Sequence, residues 1–218
     1  HIGAAAASAL AELGADIVLL DIDESSVSTA AESIAKEEGV RVLPLVVDLR
    51  SECEIRSVPE LVKTKFGRLD ILVNSAALVG TSTREGWTTS FSQQKMGPWE
   101  EALEVNLTGV FLLIQAVKDL LTASPSGSVI NLSSIYGLVG PDLRLYSETE
   151  MGNPAAYAAS KGGLIQLTRW LATVLAPGIR VNSISPGGVF RNQPEVFCER
   201  YIERTPLNRM ATEEDIKG

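Results

Sequence analysis

The feature that most constrains the fold of this chain is a regular alternation of short apolar runs with amphipathic segments. Apolar runs occur at 16–21, 40–47, 69–73, 128–132 and 179–184, and helical patterns occur at 4–13, 24–38, 51–66, 99–121 and 155–175. Strands that are apolar throughout are buried on both faces, and strands that alternate with helices pair in parallel. The pattern therefore predicts an α/β fold, a doubly wound parallel sheet with helices on both faces in three layers.

The connecting segments and the two ends add further expectations. The stretches 78–97 and 137–153 are irregular, and we expect the helix at 51–66 to be interrupted or kinked near Pro59. His1 would lie inside a turn with no strand before it, and residues 211–218 resemble the start of a helix. We therefore expect 1–218 to form one domain whose first strand, central in such a sheet, and whose C-terminal part lie outside this sequence.

Composition removes several functional classes. A net charge of -8 argues against nucleic acid as a partner, because phosphate binding depends on Lys and Arg. No apolar run approaches the ~18 residues that a membrane span needs, so no membrane partner is expected. His1 is the single histidine, which excludes Ser-His-Asp and Cys-His sites and a Cys/His zinc site, and no metal is expected. Cys53 and Cys198 form no motif, as is typical of a reduced, cytoplasmic protein.

Proton chemistry in this chain must then use Tyr, Lys or a carboxylate, and one pair is placed for it. Tyr157 and Lys161 lie four residues apart in a predicted helix, so their side chains share one face. A free tyrosine titrates near ~10 and is a poor acid or base at neutral pH. A neighbouring cation favours the phenolate, so we expect Lys161 to lower the pKa of Tyr157. The pair is thus a candidate proton-transfer unit for a carbonyl/alcohol reaction.

Further motifs surround this pair in a fixed order. They are H-I-G with Gly3 before a helix, Asp21 at the end of a strand, V-V-D-L with Asp48 and Leu49, L-V-N-S-A-A with Asn74 and Ala76, E-V-N-L-T-G with Asn106, I-N-L-S-S-I-Y-G with Ser134, and R-V-N-S-I-S-P-G-G-V with Pro186, Gly187 and Val189. Over essentially its whole length the chain resembles the short-chain dehydrogenase/reductase family. The resemblance implies a Rossmann-type fold and an NAD-dependent oxidoreductase.

The resemblance also assigns a cofactor site. It implies that Gly3 lies at the pyrophosphate, that Asp48 and Leu49 lie at the adenine, and that Asn74 and Ala76 lie beside the adenosine. It further implies that Pro186, Gly187 and Val189 border the nicotinamide, with Tyr157 and Lys161 nearby. Asp21 would bind the ribose hydroxyls and repel a 2′-phosphate, which favours NAD over NADP, unless it merely caps the following helix. Ser75, Ala77 and Arg191 depart from the family pattern.

For catalysis the resemblance implies four residues. Tyr157 exchanges a proton with the substrate oxygen, and Ser134 holds that oxygen by a hydrogen bond. Lys161 lowers the pKa of Tyr157 and binds the nicotinamide ribose. Asn106, a poor helix former, distorts its helix and holds a water of the proton relay.

The substrate is less defined. Arg144, Tyr146, Asn153 and Arg191, with Glu148 and Gln193, would supply polar groups at the carboxyl edge of the sheet, which suits a polyhydroxylated substrate, including an anionic one. The pattern also resembles bacterial sugar reductases of surface-glycan metabolism. Alternatively, these loops pack against a neighbouring subunit, since relatives form homodimers and homotetramers through the helices after Trp99 and Pro154. A nucleotide-sugar epimerase or dehydratase and a non-catalytic NAD-sensing module remain alternative functions.

Overall fold

The computed structural model of the protein describes residues 2–80 and 84–217, and His1 and part of the 78–97 stretch therefore lie outside the described residues. The helices are α1 (Ile2–Glu12), α2 (Glu24–Glu38), α3 (Glu52–Phe66), α4 (Met96–Leu103), α5 (Gly109–Ala123), α6 (Ala155–Val174) and α7 (Glu195–Glu203). The strands are β1 (Ile17–Asp21), β2 (Val42–Val46), β3 (Ile71–Asn74), β4 (Gly127–Leu132) and β5 (Ile179–Ile184). Strands and helices alternate along most of the chain, so the predicted α/β class is confirmed.

The strands form two parallel sheets. In one, β1 pairs with β2, and in the other the order is β3-β4-β5, with Asn74 opposite Asn131 and Leu132 opposite Ile184. A helical connection joins each pair of neighbouring strands, as parallel pairing requires. Helix α1 contacts both β1 and β3 and so joins the sheets. That a further strand belongs between them stays a prediction.

Local signals fix the helix ends that the sequence pattern predicted well. The Asp23 side chain caps the start of α2, and Gly39 ends it in the left-handed conformation at φ 69°. Ser51 and Gly67 perform the same two tasks for α3. The expected interruption at Pro59 is wrong, because α3 runs continuously through it and buries Val58 and Val62 on either side.

The helix predicted at 99–121 is longer and irregular. It consists of α4, a π-helical turn at Glu104–Thr108 and α5, and together they span Met96–Ala123. By length and composition this span could cross a membrane, which corrects the expectation that no segment approaches that length. Its apolar face is instead used in the core, where Val110, Ile114 and Leu121 pack with residues of α3.

The main core lies between these helices and the strands. Its buried residues come from α3, α5 and α6 and from β4 and β5, and a smaller cluster joins α1, β1 and α2. Helix α7 is not predicted by the sequence pattern. It packs with the segment after β4 in a separate cluster around Leu145, Phe197 and Met210. At the C-terminus the expected helix start is a short 3-10 turn, Glu214–Ile216.

Candidate active site

The carboxyl ends of the parallel strands bring most of the predicted site residues to one side of the molecule. Asp21 is the last residue of β1, and Asn74 is the last residue of β3. Ser134 follows β4 by two residues, and Pro186 follows β5 by two. Backbone bonds tie these last two ends together, since Ser133 N–H donates to the Ile184 carbonyl at 2.8 Å and Ile135 N–H donates to the Pro186 carbonyl at 3.1 Å. Ligands bind at this edge in open α/β sheets.

Tyr157, Lys161 and Ser134 lie together. Tyr157 and Lys161 share one face of α6, and the Lys161 Nζ lies 5.9 Å from the centroid of the Tyr157 ring. The Ser134 hydroxyl lies close enough to the Tyr157 phenol to lower its pKa. A close backbone contact fixes α6 against the turn after β4, because a Cβ added to Gly137 would lie 2.7 Å from the Lys161 carbonyl carbon. The structure therefore juxtaposes three of the four predicted catalytic groups.

The Lys161 ammonium is buried with few partners. Lys161 is only 3% exposed, and its Nζ donates to the Leu132 carbonyl at 2.7 Å. In the part of the chain that the structure describes, this is its one hydrogen-bond acceptor, and no carboxylate pairs with it. Burial penalises the charged form and lowers the pKa of Lys161 to about 8. Two N–H donors thus stay free for a ligand rich in hydroxyl groups.

The predicted effect of Lys161 on Tyr157 is wrong for this state of the protein. Burial raises the pKa of Tyr157 above its usual value, the nearby Ser134 hydroxyl lowers it, and the nearby Tyr146 raises it further. Burial is the dominant influence and outweighs the nearby Lys161 ammonium, whose Nζ donates to the Leu132 carbonyl and lies 5.9 Å from the centroid of the Tyr157 ring. At neutral pH the phenol therefore keeps its proton.

Asn106 distorts its helix as predicted. It lies in the middle of the π-helical turn, where Gly109 N–H donates to the carbonyl of Glu104, five residues earlier. Its side chain is fully buried and bonds twice to one residue: Oδ1 accepts from Leu78 N–H at 2.7 Å, and Nδ2 donates to the Leu78 carbonyl at 3.0 Å. Nδ2 also donates to the Ser160 hydroxyl at 3.0 Å. Asn106 thereby fixes the segment after β3 against α6, and its role in holding water stays a prediction.

The predicted phosphate end of the site is closely packed. Gly3 lies in the first turn of α1, and a Cβ added to it would be 2.4 Å from the Ser75 hydroxyl oxygen. Any side chain at this position would clash with the segment after β3. A glycine at a helix start that faces such a segment is suited to a dinucleotide phosphate.

Asp21 does not cap α2, which removes one of its two interpretations. The cap is Asp23, whose carboxylate accepts from Ser26 N–H at 2.6 Å. Asp21 Oδ1 accepts from Asp23 N–H at 3.0 Å. Two exposed carboxylates therefore follow β1, and both would repel a 2′-phosphate. Asp23 was not predicted as a cap, although a D-x-D pattern before a helix is a cap signal.

Asp48 has a partner that the sequence analysis also missed. Arg50 donates to both of its carboxylate oxygens, at 3.0 Å from Nε and 2.7 Å from Nη2, and holds the pKa of Asp48 below its usual value. Arg50 also pairs with Glu101 on α4 at 3.3 Å. The neighbouring Leu49 carbonyl would lie 2.4 Å from a Cβ added to Gly109, so this turn is pressed against the start of α5.

Asn74 has a structural role, whereas Ala76 is exposed. The Asn74 side chain is buried, and its Nδ2 donates to Asn131 Oδ1 at 2.8 Å. Asn131 Nδ2 in turn donates to the Thr168 hydroxyl at 2.9 Å. Ala76 is exposed two residues after β3. The side chain of Asn74 thus links the sheet to α6, and the cofactor contact predicted for it stays a prediction, as it does for Ala76.

The turn after β5 carries the predicted nicotinamide contacts. The Tyr201 hydroxyl of α7 accepts from Gly188 N–H at 2.5 Å, and a Cβ on Gly187 would lie 2.7 Å from that hydroxyl. The Val189 carbonyl accepts from Gln193 Nε2 at 2.8 Å, whereas the buried Val189 N–H has no hydrogen-bond partner within 2–80 and 84–217. A free buried N–H at this turn, together with the free donors of Lys161, fits the carboxamide and ribose of a nicotinamide nucleotide.

The predicted substrate residues have different environments. Arg144 is paired with Asp142 at 2.8 Å and is largely exposed, and Arg191 is paired with Glu213 at 3.0 Å. Both guanidinium charges are thus compensated, which removes the reason to expect an anionic substrate from these residues. Tyr146 and Asn153 are more enclosed, and the roles of all four in substrate binding stay predictions.

Ion pairs clamp the segment 137–153 onto α7. Arg200 donates to the Ser147 carbonyl and pairs with Glu148 at 2.9 Å, and Arg204 pairs with Asp142 at 3.2 Å. The aromatic rings of Tyr146, Phe197 and Tyr201 pack in sequence beneath these pairs, with centroid separations of 5.5 and 5.8 Å. One wall beside Tyr157 is therefore built from two segments that are distant in sequence.

Comparisons with known proteins show which family and which solved structures this chain resembles. A family model described as enoyl-(acyl carrier protein) reductase matches residues 1–218. A 3-oxoacyl-[acyl-carrier-protein] reductase from Synechocystis sp. is 32% identical over 224 residues, which cover 100% of this chain and 82% of the relative. The crystal structure of NAD⁺-bound xylitol dehydrogenase has a TM-score of 0.86 at 29% identity and covers 100% of this chain and 85% of that one. A gluconate 5-dehydrogenase from Burkholderia cenocepacia, in complex with NADP and tartrate, has a TM-score of 0.85 at 28% identity, over 100% and 81% of the two chains.

Proposed function

Because the chain belongs to the short-chain dehydrogenase/reductase family, we propose that it interconverts a secondary alcohol and a ketone on a polar, polyhydroxylated substrate with NAD(H). Family membership gives the reaction class, oxidation or reduction at a CH–OH group with NAD(P). The substrate class and the preference for NAD are the proposed part.

One observation carries the assignment of the chemistry: the buried Ser134 hydroxyl and the Tyr157 phenol lie together, beside the buried ammonium of Lys161. A bound nicotinamide would supply or accept the hydride. In reduction the Tyr157 phenol, which keeps its proton at neutral pH, donates that proton to the carbonyl oxygen, and in oxidation the deprotonated Tyr157 accepts the proton of the alcohol hydroxyl. Ser134 orients the same oxygen. Lys161 offers its free N–H donors to ribose hydroxyls and places a positive charge near the reacting oxygen.

The preference for NAD is supported by charge. Asp21 and Asp23 place two carboxylates after β1, where the adenosine ribose would lie. A 2′-phosphate would be repelled there, whereas ribose hydroxyls can donate to a carboxylate. The solved neighbours include one with NAD⁺ and one with NADP, so they do not decide between the cofactors.

A polar substrate is supported by the wall beside Tyr157. Its phenol groups and the amide of Asn153 offer neutral hydrogen-bond partners rather than an apolar channel. Among the solved neighbours, xylitol dehydrogenase and gluconate 5-dehydrogenase are named for hydroxylated compounds.

A 3-oxoacyl thioester is the second candidate substrate. Relatives named 3-oxoacyl-[acyl-carrier-protein] reductase support it, as do three exposed apolar residues at the start of the same wall, Leu138, Val139 and Leu143. A direct comparison of xylitol, gluconate and an acetoacetyl thioester as substrates would separate the two proposals.

We expect Tyr157→Phe to lower turnover on the best substrate by about 10²–10⁴-fold, because it removes the group that exchanges the proton. NADH binding, measured by fluorescence titration, should stay nearly unchanged, which controls for misfolding. A variant that retained more than about a tenth of the normal rate would contradict the role of Tyr157.

In the wild type, kcat/KM with NAD should exceed that with NADP, and the reverse order would contradict the cofactor proposal.

The same assay tests the alternative functions. A nucleotide-sugar epimerase or dehydratase retains its cofactor through the cycle, so steady accumulation of free NADH argues against it. A sensing module would bind NAD but would turn over none of the alcohols or ketones.

We also propose that the protein acts as a homodimer or homotetramer in the cytoplasm. Trp170 and Val174 are 56% and 48% exposed, one turn apart on α6, and offer an apolar contact for a second copy. Cys53 and Cys198 are both free, as is typical of a reducing compartment.

A further inference from the structure

A chain of hydrogen bonds leads from the segment 137–153 to the catalytic serine. Tyr146 Oη donates to Tyr136 Oη at 2.8 Å, and the Asn153 side chain lies close enough to the Tyr146 phenol to lower its pKa. Tyr136 N–H donates to the Ser134 hydroxyl oxygen at 3.2 Å. The backbone of Tyr136 therefore contacts a catalytic residue, while its hydroxyl ends the chain of side chains.

Both ends of this chain have unused hydrogen-bonding capacity. Tyr136 Oη accepts from Tyr146, and its own O–H hydrogen has no acceptor in the described part of the chain. Asn153 Oδ1 is buried and has no hydrogen-bond partner among the described residues. A buried polar atom without a partner costs free energy, and such atoms are found where a ligand or water completes the bonding. One free donor and one free acceptor match the requirement of an alcohol hydroxyl, which both donates and accepts.

The side chains of Tyr136, Tyr146 and Asn153 are electrically neutral, which determines the kind of group that they can bind. Burial raises the pKa of both Tyr136 and Tyr146, so both phenols keep their protons at neutral pH. Arg144 and Arg191, the two arginines predicted to bind substrate, are already paired with carboxylates. A neutral hydroxyl therefore suits this surface better than a carboxylate or a phosphate, which would lose its water without gaining a cation.

Tyr136 is also close to the reacting groups. Besides its contact with Ser134, it lies near enough to Tyr157 and Tyr201 for their charges to affect it. Tyr136 thus belongs to the group of side chains around Ser134 and Tyr157, and it lies in the I-Y-G sequence that directly follows the serine.

We propose that Tyr136 and Asn153 are specificity-determining residues that bind a neutral hydroxyl on the carbon next to the one that is oxidised. This inference rests on the proposed function, because it names the part of the substrate that the same site recognises. Tyr146 is a positioning residue in it, since it orients both neighbours. The preferred substrate would be a vicinal diol or the corresponding hydroxyketone.

The test compares a diol with its deoxygenated counterpart, trans-1,2-cyclohexanediol and cyclohexanol, with NAD. Tyr136→Phe should lower kcat/KM for the diol by about tenfold, as expected for one neutral hydrogen bond, and should leave kcat/KM for cyclohexanol nearly unchanged. Asn153→Ala should likewise lower the ratio of kcat/KM for the diol to kcat/KM for cyclohexanol. Thr122→Val serves as the control, because it removes an exposed hydroxyl on α5 that bonds to the Lys118 carbonyl of the same helix, and it should leave kcat/KM for both substrates unchanged.

The outcomes separate this inference from the proposed function. Equal losses on both substrates in Tyr136→Phe would show a structural role and overturn the inference while the oxidoreductase assignment stands. If the wild type oxidised neither compound, calorimetric titration with the diol would decide. Binding that weakens about tenfold in Tyr136→Phe but not in Thr122→Val would support the recognition site, whereas equal binding in Tyr136→Phe and the wild type, or no binding at all, would overturn this inference and leave the reaction class unaffected.

Discussion

At the scale of single residues, Lys161 shows most clearly how burial changes chemistry. The ammonium is buried and donates to the Leu132 carbonyl, and it forms no ion pair with a carboxylate of the described residues. Its pKa falls to about 8, because burial penalises the charged form. A cation in this environment costs the folded protein free energy at neutral pH, and a ligand with hydroxyl groups would recover part of that cost.

This environment predicts an unusual dependence of stability on pH. The pKa of Lys161 falls from a model-compound value of 10.5 to about 8 on folding, so between these values the unfolded chain binds the proton and the folded chain does not. Stability then rises with pH in this window. We expect the free energy of unfolding of the wild type to gain about 2 kcal/mol between pH 8 and 10 relative to Lys161→Met. Urea denaturation at several pH values would measure it.

The matched control is Lys36→Met, which removes an exposed lysine on α2 and should follow the wild type. Parallel curves for wild type and Lys161→Met across the window would show that the ammonium is hydrated in solution and would contradict the burial seen here.

At the scale of elements, the π-helical turn is the structural feature on which the site geometry depends. One extra residue in the turn at Glu104–Thr108 lets Asn106 face inward and bond to both backbone groups of Leu78. The same side chain reaches Ser160 on α6, one residue before Lys161. Three elements that carry site residues are therefore held together by one amide. π-Helical turns are often found at functional sites.

We predict that Asn106→Ala destabilises the protein by about 3 kcal/mol, because it leaves a buried N–H and a buried C=O of Leu78 without partners. Asn182→Ala, at an exposed position of β5, should change the free energy of unfolding by no more than about 0.5 kcal/mol. Chemical denaturation of both variants provides the measurement. Equal effects would mean that the segment after β3 is held by other contacts.

Sequence patterns predicted the elements where local signals exist. Gly39 gave α2 its end, and the continuous apolar run I-V-L-L gave β1. Helix α7 was missed because its apolar residues, such as Phe197, pack only against the segment after β4, so no local pattern announces it. The π-helical turn has no periodic signature, and only the poor helix propensity of Asn106 pointed to it.

At the scale of the whole molecule, the positions of the strand ends made the location of the site predictable from the sequence. The electrostatics of the site could not be predicted in this way. Parallel strands bring Ser134 and Pro186 to one edge whatever the side chains between them are. By contrast, Arg50 and its partner Glu101 are separated by 51 positions, and the carbonyl that binds Lys161 lies 29 positions away. Such pairings depend on the tertiary structure, which is why the pKa of Tyr157 was predicted in the wrong direction.

Self-association is a prediction at the same scale. The apolar face formed by Trp170 and Val174 lies outside the core, and its burial by a second copy would be favourable. We expect sedimentation velocity at micromolar concentration to show a dimer or tetramer, and Trp170→Glu to shift it towards smaller species. Phe91→Glu, at a residue that is 86% exposed, should leave the distribution unchanged. A wild-type monomer would contradict the proposed assembly.

The clamp between segment 137–153 and α7 has a consequence for how this protein could be redesigned or could diverge. Arg200 and Arg204 tie the segment to the helix, and Tyr201 of the same helix bonds to the turn at Gly188. A chimaera that imports either segment alone from another protein would break these bonds and disturb both the segment 137–153 and the turn at Gly188. Exchange of both segments as one cassette is the recombination that this architecture would tolerate.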